Sequence, residues 1–376
     1  MRVDDLDFHL PSELIAATAV EPRDRARLLV VSRSDPSRLE HRIVRDLPAL
    51  LDPGDLLVTN DSRVVPARFL AINTDTGGKA EGLWLRDDGR DPEGRLVWSA
   101  LVKARRHRAG RVLTVLDREH RPSTIRLKFL GRDETETGAW RLAAWDESDP
   151  DASTPGILDR VGLAPLPPYI RHARRDAGMD QDRDDDRDRY QTVYATDDDA
   201  HRAPGASGSV AAPTAGLHFT PDLLERLEGC GVARTSVTLH VGTGTFKTVE
   251  ADDLDDHPMH AEWCAIPDAA RASMHDATRV IAVGTTAART LEAFAALPPG
   301  EPAPEWLETD LLIQPGHTWR AMQGLMTNFH LPRSTLLALV AALFPEGIER
   351  VRAIYAEAIR ERYRFFSFGD AMLILP

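Results

Sequence analysis

Cysteine is nearly absent from this sequence, with only Cys230 and Cys264 among 376 residues. Their separation excludes a CxxC metal or redox motif, and so few thiols point to a reducing compartment. Long hydrophobic runs are missing too. The longest, residues 336–344, falls far short of the ~20 apolar residues that a membrane-crossing helix needs. Residues 1–7 are acidic and carry no apolar stretch, so no secretory signal is expected and the chain reads as cytoplasmic. An excess of positive charge is likewise lacking. The net charge of -13 excludes a surface coated in cations for nucleic acid, and any nucleic-acid contact must be a local patch. Neither a Walker loop nor a dinucleotide fingerprint occurs, so ATP hydrolysis and NAD chemistry find no support.

What is present suffices for two cores. At 376 residues, 42% hydrophobic and 28% charged, the chain exceeds what one core usually serves. Buried-strand patterns at 27–31, 56–60 and 279–283, each followed by polar or helical sequence, read as an α/β domain built from residues 1–66 and 156–376. Between them, residues 67–155 change to short alternating segments separated by Gly and Asp turns. This is the texture of a small inserted antiparallel β-barrel. The fold class expected is therefore a three-layer α/β/α main domain with a barrel inserted. Residues 171–189 alternate acids and arginines without apolar periodicity and read as a mobile, solvated loop. The next stretch, 189–195, would set Tyr190 and Tyr194 on one face of a helix. A short helix is also expected around residues 10–16, and Thr220 and Ser334 are expected to cap helices.

Two neighbouring pieces stand out: Ser209-Val-Ala-Ala-Pro-Thr-Ala-Gly-Leu-His-Phe-Thr220 and Thr238-Leu-His-Val-Gly-Thr-Gly-Thr-Phe246. Each brings small residues, hydroxyls and one histidine to the end of a strand, as either a tight turn or a pocket wall. Residues 283–286 add a strand, a glycine and a hydroxyl-opened helix, an arrangement that leaves free N–H groups for an anion. Residues 325–335 repeat the scheme. Asn60, Asp61 and Arg63 follow another strand, where open α/β sheets put ligands. His257, His260 and Glu262 have metal-ligand types but lack a third strong ligand. They read as an imidazole and carboxylate set, and no metal is expected. Residues 103–111, with Lys103, Arg105 and Arg106, form the densest basic cluster, either a solvated hairpin or a patch for RNA phosphates.

Taken in order, Asn60-Asp-Ser-Arg-Val-Val-Pro-Ala-Arg68, Arg189-Tyr-Gln-Thr-Val-Tyr-Ala195, the two pieces above, His257-Pro-Met-His-Ala-Glu262, Val283-Gly-Thr-Thr286, Thr327-Asn-Phe-His-Leu-Pro-Arg-Ser334 and Tyr363-Arg-Phe-Phe-Ser-Phe-Gly-Asp370 closely resemble the S-adenosylmethionine:tRNA ribosyltransferase-isomerase family. The resemblance runs almost end to end. Departures are Thr243, Thr248 and Cys264, where the family usually has an aliphatic residue, Pro and Tyr, and Gly82 and Trp84, which interrupt an aliphatic series in the insert.

The resemblance implies an enzyme of queuosine biosynthesis. It would transfer and isomerise the ribosyl part of S-adenosylmethionine onto 7-aminomethyl-7-deazaguanine at the tRNA wobble position. Epoxyqueuosine forms, adenine and methionine leave, and no cofactor is expected beyond this co-substrate. The partners implied are the modified tRNA and S-adenosylmethionine, with no membrane, no obligate protein partner and a monomeric enzyme. Two rivals stay open, a ribosylase of a free base and a catalytically silent RNA-binding protein. The sulfonium acidifies the ribose 5′ hydrogens, so a base with pKa near the working pH is needed, and histidine suits. On this reading His218 or His240 is the principal base, with His330 and the His260 and Glu262 pair as alternates. Thr214, Gly242, Thr243, Gly244, Thr245, Thr285 and Thr286 would line the nucleoside pocket, with Asn328 or Asp370 holding adenine or ribose. Lys103, Arg105, Arg106, Arg63 and Arg333 would meet phosphate or carboxylate.

Overall fold

A computed structural model describes residues 1–35, 37–104, 108–196, 208–242, 249, 251–298, 300 and 302–376. The chain opens with strands β1 (Arg27–Ser32), β2 (Leu39–Ile43) and β3 (Asp55–Asn60). A run of six strands follows: β4 (Arg68–Asn73), β5 (Lys79–Arg90), β6 (Leu96–Ala104), β7 (Val112–Leu116), β8 (Pro122–Arg132) and β9 (Ala139–Asp146). Helices α1 (Thr154–Val161), α2 (Pro168–Asp176), α3 (Asp186–Arg189) and α4 (Pro221–Gly229) lead to β10 (Ala233–Leu239) and β11 (Glu262–Ala265). Next come α5 (Asp268–Asp276), β12 (Arg279–Val283), α6 (Thr285–Ala295), β13 (Leu307–Thr309) and β14 (Gly324–Asn328). Helices α7 (Thr335–Ala341) and α8 (Ile348–Arg360) and strand β15 (Ala371–Leu375) complete the chain. Among the described residues no helix is long and apolar enough to cross a membrane.

Nine strands form one mixed sheet in the order β13-β11-β10-β3-β12-β14-β15-β1-β2. Its middle strands β10, β3, β12 and β14 run parallel, and β15 returns antiparallel beside β14. Strand side chains alternate between faces, and here both faces are apolar. Leu29, Val31, Leu56, Val58, Val280, Ala282, Leu325, Met372 and Ile374 join the core that α6, α7 and α8 cover. Their neighbours Leu28, Val30, Leu57, Ile281, Val283, Met326 and Leu373 face the core under α4. That gives three layers, helix, sheet and helix. Thr220 caps α4 by accepting from the Leu223 amide at 3.2 Å, ahead of Pro221 at the first helical position. Thr220→Ala is expected to cost about 1 kcal/mol of stability in a urea titration, the usual loss for an N-cap. Ser334 likewise caps α7 through the Leu336 amide.

Strands β4 to β9 close into an antiparallel barrel in the order β4-β5-β6-β9-β8-β7. Phe69, Trp84, Trp98, Phe129 and Trp140 help to fill it. The departure at Gly82 has a steric cause. Gly82 sits directly opposite Phe69, and a Cβ there would stand only 2.1 Å from the Phe69 ring. Trp84, 1% exposed, then supplies bulk to the same interior. The barrel is fastened to the main domain by Trp98, whose Nε1 donates to Thr154 of α1 at 2.8 Å, and by the buried Arg68, which reaches Glu81 and Asp182, each at 2.6 Å.

Three local expectations are revised. Residues 171–189 are not a wholly solvated loop: α2 runs into them, α3 closes them, and Arg174, only 2% exposed, makes a two-pronged pair with Asp186 at 2.6 Å. The ordering force is a buried ion pair, so apolar periodicity gives no sign of it. Helix α3 ends at Arg189, before Tyr190 and Tyr194, which go to different places. Tyr190 packs edge-on against Phe368, and Tyr194 against Phe219. Residues 12–14 make only a 3-10 turn. Of the cysteines, Cys230 is exposed, while Cys264 is buried in β11 with its thiol pushed up to about 12 by burial.

Candidate functional site

The C-terminal ends of β10, β3, β12 and β14 and the start of β15 lie along one edge of the sheet, as their registers require. Polar residues at that edge divide into those that hold strands and those that face a cavity. Asn60 belongs to the first kind: its amide accepts from the Leu239 N–H and donates to the Leu239 carbonyl, both at 3.1 Å, so it fixes the end of β10. Asp61 accepts from Thr238 Oγ1 at 2.8 Å.

The cavity is bordered by Pro213, Thr214 and Ala215, by Gly284, Thr285 and Thr286, by residues 327–331, and by Tyr169, Tyr190, Phe366 and Ser367. Thus the turns expected at 214, 284 and 328 meet in one place. Gly284 has φ +93°, a conformation that favours glycine, and it swings β12 directly into α6. No side chain caps the amino end of α6, and Thr286 Oγ1 is buried without a hydrogen-bond partner. Both are calls for a polar ligand. Thr214 Oγ1 donates to the Asn328 side-chain Oδ1 at 2.9 Å, and Asn328 Nδ2 donates to the Phe366 backbone carbonyl at 3.1 Å, which ties three walls together. Phe366 holds φ +71°, rare for an aromatic residue, and its ring lies 4.6 Å from that of Tyr169. Tyr169 meets Ser367 at 2.6 Å, and burial pushes its phenol up to about 12.

The histidines have distinct settings. His330 borders the cavity, pairs through Nε2 with Thr327 Oγ1 at 2.9 Å, and has its amide held by the Tyr355 hydroxyl at 2.9 Å. Burial lowers its pKa to about 4, so the ring is neutral near pH 7. His218 does not border the cavity. Its ring nitrogens face the carbonyls of Ala215 and Gly369 at 3.0 and 3.2 Å, and burial lowers its pKa against the opposing pull of those carbonyls. His240 stacks on Trp306, with ring centroids 5.4 Å apart. His260 and Glu262 border a second hollow beside the first. Glu262 accepts from the Gly242 amide at 3.0 Å and from Arg289 at 2.5 Å. Among the described residues no three His, Cys, Asp or Glu side chains stand together as a metal site.

Other expected residues fall elsewhere. Asp370 is 1% exposed, and its carboxylate accepts from the Arg27 and Arg364 amides at 3.0 and 2.8 Å, so it braces backbone and does not border the cavity. Arg333 pairs with Asp4 at 2.5 Å. Arg63 borders a hollow with Arg118 and Arg187, while Lys103 borders a groove between the barrel and the main domain, with Arg171, His172 and Arg175. Thr243, Gly244, Thr245, Arg105 and Arg106 lie outside the described residues. Sequence reasoning missed Tyr169, Ser367 and Arg289 at these hollows. The clue for Arg289 is a lone cation one turn after the two hydroxyls that open a mostly apolar helix.

A family model described as Queuosine biosynthesis protein matches residues 3–374. The chain is similar to the S-adenosylmethionine:tRNA ribosyltransferase-isomerase of Rubrobacter xylanophilus, at 44% identity over 100% of this chain and 98% of that one. It is similar also to the protein of that name from Anaeromyxobacter dehalogenans, at 47% identity over 100% and 99% of the two chains. Among solved structures, an S-adenosylmethionine tRNA ribosyltransferase from Thermotoga maritima matches with a TM-score of 0.50 and 34% identity, over 99% of this chain and 100% of that one.

Proposed function

Since this chain belongs to the queuosine biosynthesis family of S-adenosylmethionine:tRNA ribosyltransferase-isomerases, we propose that the cavity at the strand ends holds the nucleoside of S-adenosylmethionine, with His330 as the base. The reaction moves the ribosyl group to 7-aminomethyl-7-deazaguanine in tRNA and releases adenine and methionine. The observation that carries the site is the convergence of Thr214, Thr285, Thr286, Asn328 and His330 on one cavity. Hydroxyls and an amide suit a ribose, and the Tyr169 and Phe366 rings of the same cavity suit a purine. A neutral imidazole can take the acidified 5′ hydrogen; burial makes His330 a weaker base than a free histidine, so the acidification by the sulfonium carries more of this step than a base near the working pH would require. His218, His240 and the His260 and Glu262 pair support the walls on this reading. The co-substrate is S-adenosylmethionine, and no metal takes part.

For the tRNA, the groove with Lys103, Arg171, His172 and Arg175 supports a phosphate contact, to which Arg105 and Arg106 would add. A tRNA substrate supports a cytoplasmic site, and we read the enzyme as acting as a monomer. Adenine release decides the reading. Purified protein with S-adenosylmethionine is expected to release adenine when given tRNA carrying the aminomethyl base and to release far less with the free base. Equal release from the free base, or none with the tRNA, overturns it.

A further inference from the structure

Arg289 is 8% exposed and lies one helical turn from the cavity's hydroxyls. Its Nε donates to the Leu311 carbonyl at 3.1 Å and Nη1 to Glu262 at 2.5 Å, yet Nη2 is buried without a hydrogen-bond partner. A guanidinium carries five N–H donors in a fixed fork, and a buried one left unspent calls for an acceptor. We propose that Arg289 binds the carboxylate of the methionine half of S-adenosylmethionine, in the second hollow; this rests on the reading of the main cavity given above.

Three observations lead there. Residues 286 and 289 are three apart on α6, so they share a face and are separated by about one 5.4 Å turn. Thr286 Oγ1 is also buried without a partner, so two unspent polar groups line the same helical stripe. The two hollows share Ser334 and Leu336 in their walls, one containing Thr286 and the other Arg289. A ligand spanning both needs a nucleoside at one end and an acidic group at the other, joined by a short flexible chain. S-adenosylmethionine has that form. The neighbouring Glu262 fits the same ligand, because an arginine and a carboxylate side by side match the carboxylate and ammonium of an amino acid. If Arg289 only neutralised Glu262, the unspent Nη2 would have no explanation.

The test compares S-adenosylmethionine with its decarboxylated analogue, which keeps nucleoside, sulfonium and amine. Adenine release with modified tRNA is measured for the wild type, Arg289→Lys and Arg289→Gln. The wild type is expected to prefer the carboxylated substrate by about 100-fold or more in kcat/KM, since a site built for a group rejects the analogue lacking it. Arg289→Gln is expected to lower that preference to near one, mainly through KM for S-adenosylmethionine, and Arg289→Lys to retain part of it. A wild type that uses both substrates equally overturns the proposal. So do variants that lose activity toward both in the same proportion, which is the result of a purely structural arginine. Adenine release from neither substrate by the wild type is the distinct failure of the parent reading, and takes this proposal with it.

Discussion

His330→Ala is expected to lower kcat for adenine release by about 10²–10⁴, the range a positioned general base contributes, with KM for S-adenosylmethionine changed little. The expectation follows from placement. His330 borders the cavity, Thr327 holds its Nε2 at 2.9 Å, and no described residue meets its Nδ1. By contrast, His218 has both nitrogens set against backbone carbonyls, so His218→Ala should act first on stability. The pH dependence separates the histidines further. With its pKa lowered to about 4, His330 stays neutral and able to accept a proton from pH 8 down to about 5, so kcat/KM should be flat on its acid side until near pH 4. An ordinary histidine would give an acid limb near 6.5. The same shift affects stability. Between the unfolded value near 6.5 and the folded value of about 4, the unfolded chain binds the extra proton, so stability is lost as pH falls through that window, on the order of 3 kcal/mol for this group. An acid limb near 6.5 that vanishes in His240→Ala, together with a His330→Ala variant close to wild-type rate, would transfer the role to His240.

Much of this site was legible in the sequence, because its parts lie at strand ends and strand ends are written locally. Strands β12 and β14 read as short buried runs, polar residues gather at their ends, and Gly284 marks the switch into α6. Barrel texture was equally readable, since Phe69, Trp84, Trp98 and Phe129 recur inside alternating segments. What escaped depends on contacts between distant parts of the chain. The Arg174 and Asp186 pair orders a segment whose composition reads as solvated. Tyr169 of α2 meets the cavity beside Phe366, which lies almost two hundred positions later and takes a positive φ there. The roles of neighbouring polar residues were the least legible. Asn328 faces the cavity and Asp370 does not, though antiparallel β14 and β15 bring both to the same sheet edge, because the Asp370 carboxylate turns back onto the Arg27 and Arg364 amides.

That difference makes Asp370→Ala the second large effect. The sequence suggested a carboxylate that holds adenine or ribose, which would make the variant a binding mutant with raised KM and normal stability. In the structure the carboxylate accepts from two backbone amides, Arg27 N at 3.0 Å and Arg364 N at 2.8 Å, and meets the Arg364 guanidinium at 3.3 Å. Alanine would leave both amides without an acceptor in a site that is 1% exposed. Each buried donor so stranded costs about 1–3 kcal/mol, so the loss should reach about 3 kcal/mol or more in a denaturant titration. Asparagine should rescue only part of it, because its one oxygen can serve one amide while its NH₂ is pressed against the other. The segment cannot move aside, since Gly369 lies so close to its own chain that a Cβ would stand 2.4 Å from the Arg364 carbonyl. Strain there would also reach His218, whose ring is set against the Gly369 carbonyl at 3.2 Å. Among molecules still folded at low temperature, KM for S-adenosylmethionine should remain within about twofold of wild type, as expected when a lost contact is absent from ground-state binding. A tenfold rise in KM with unchanged stability would instead put the Asp370 carboxylate on the nucleoside.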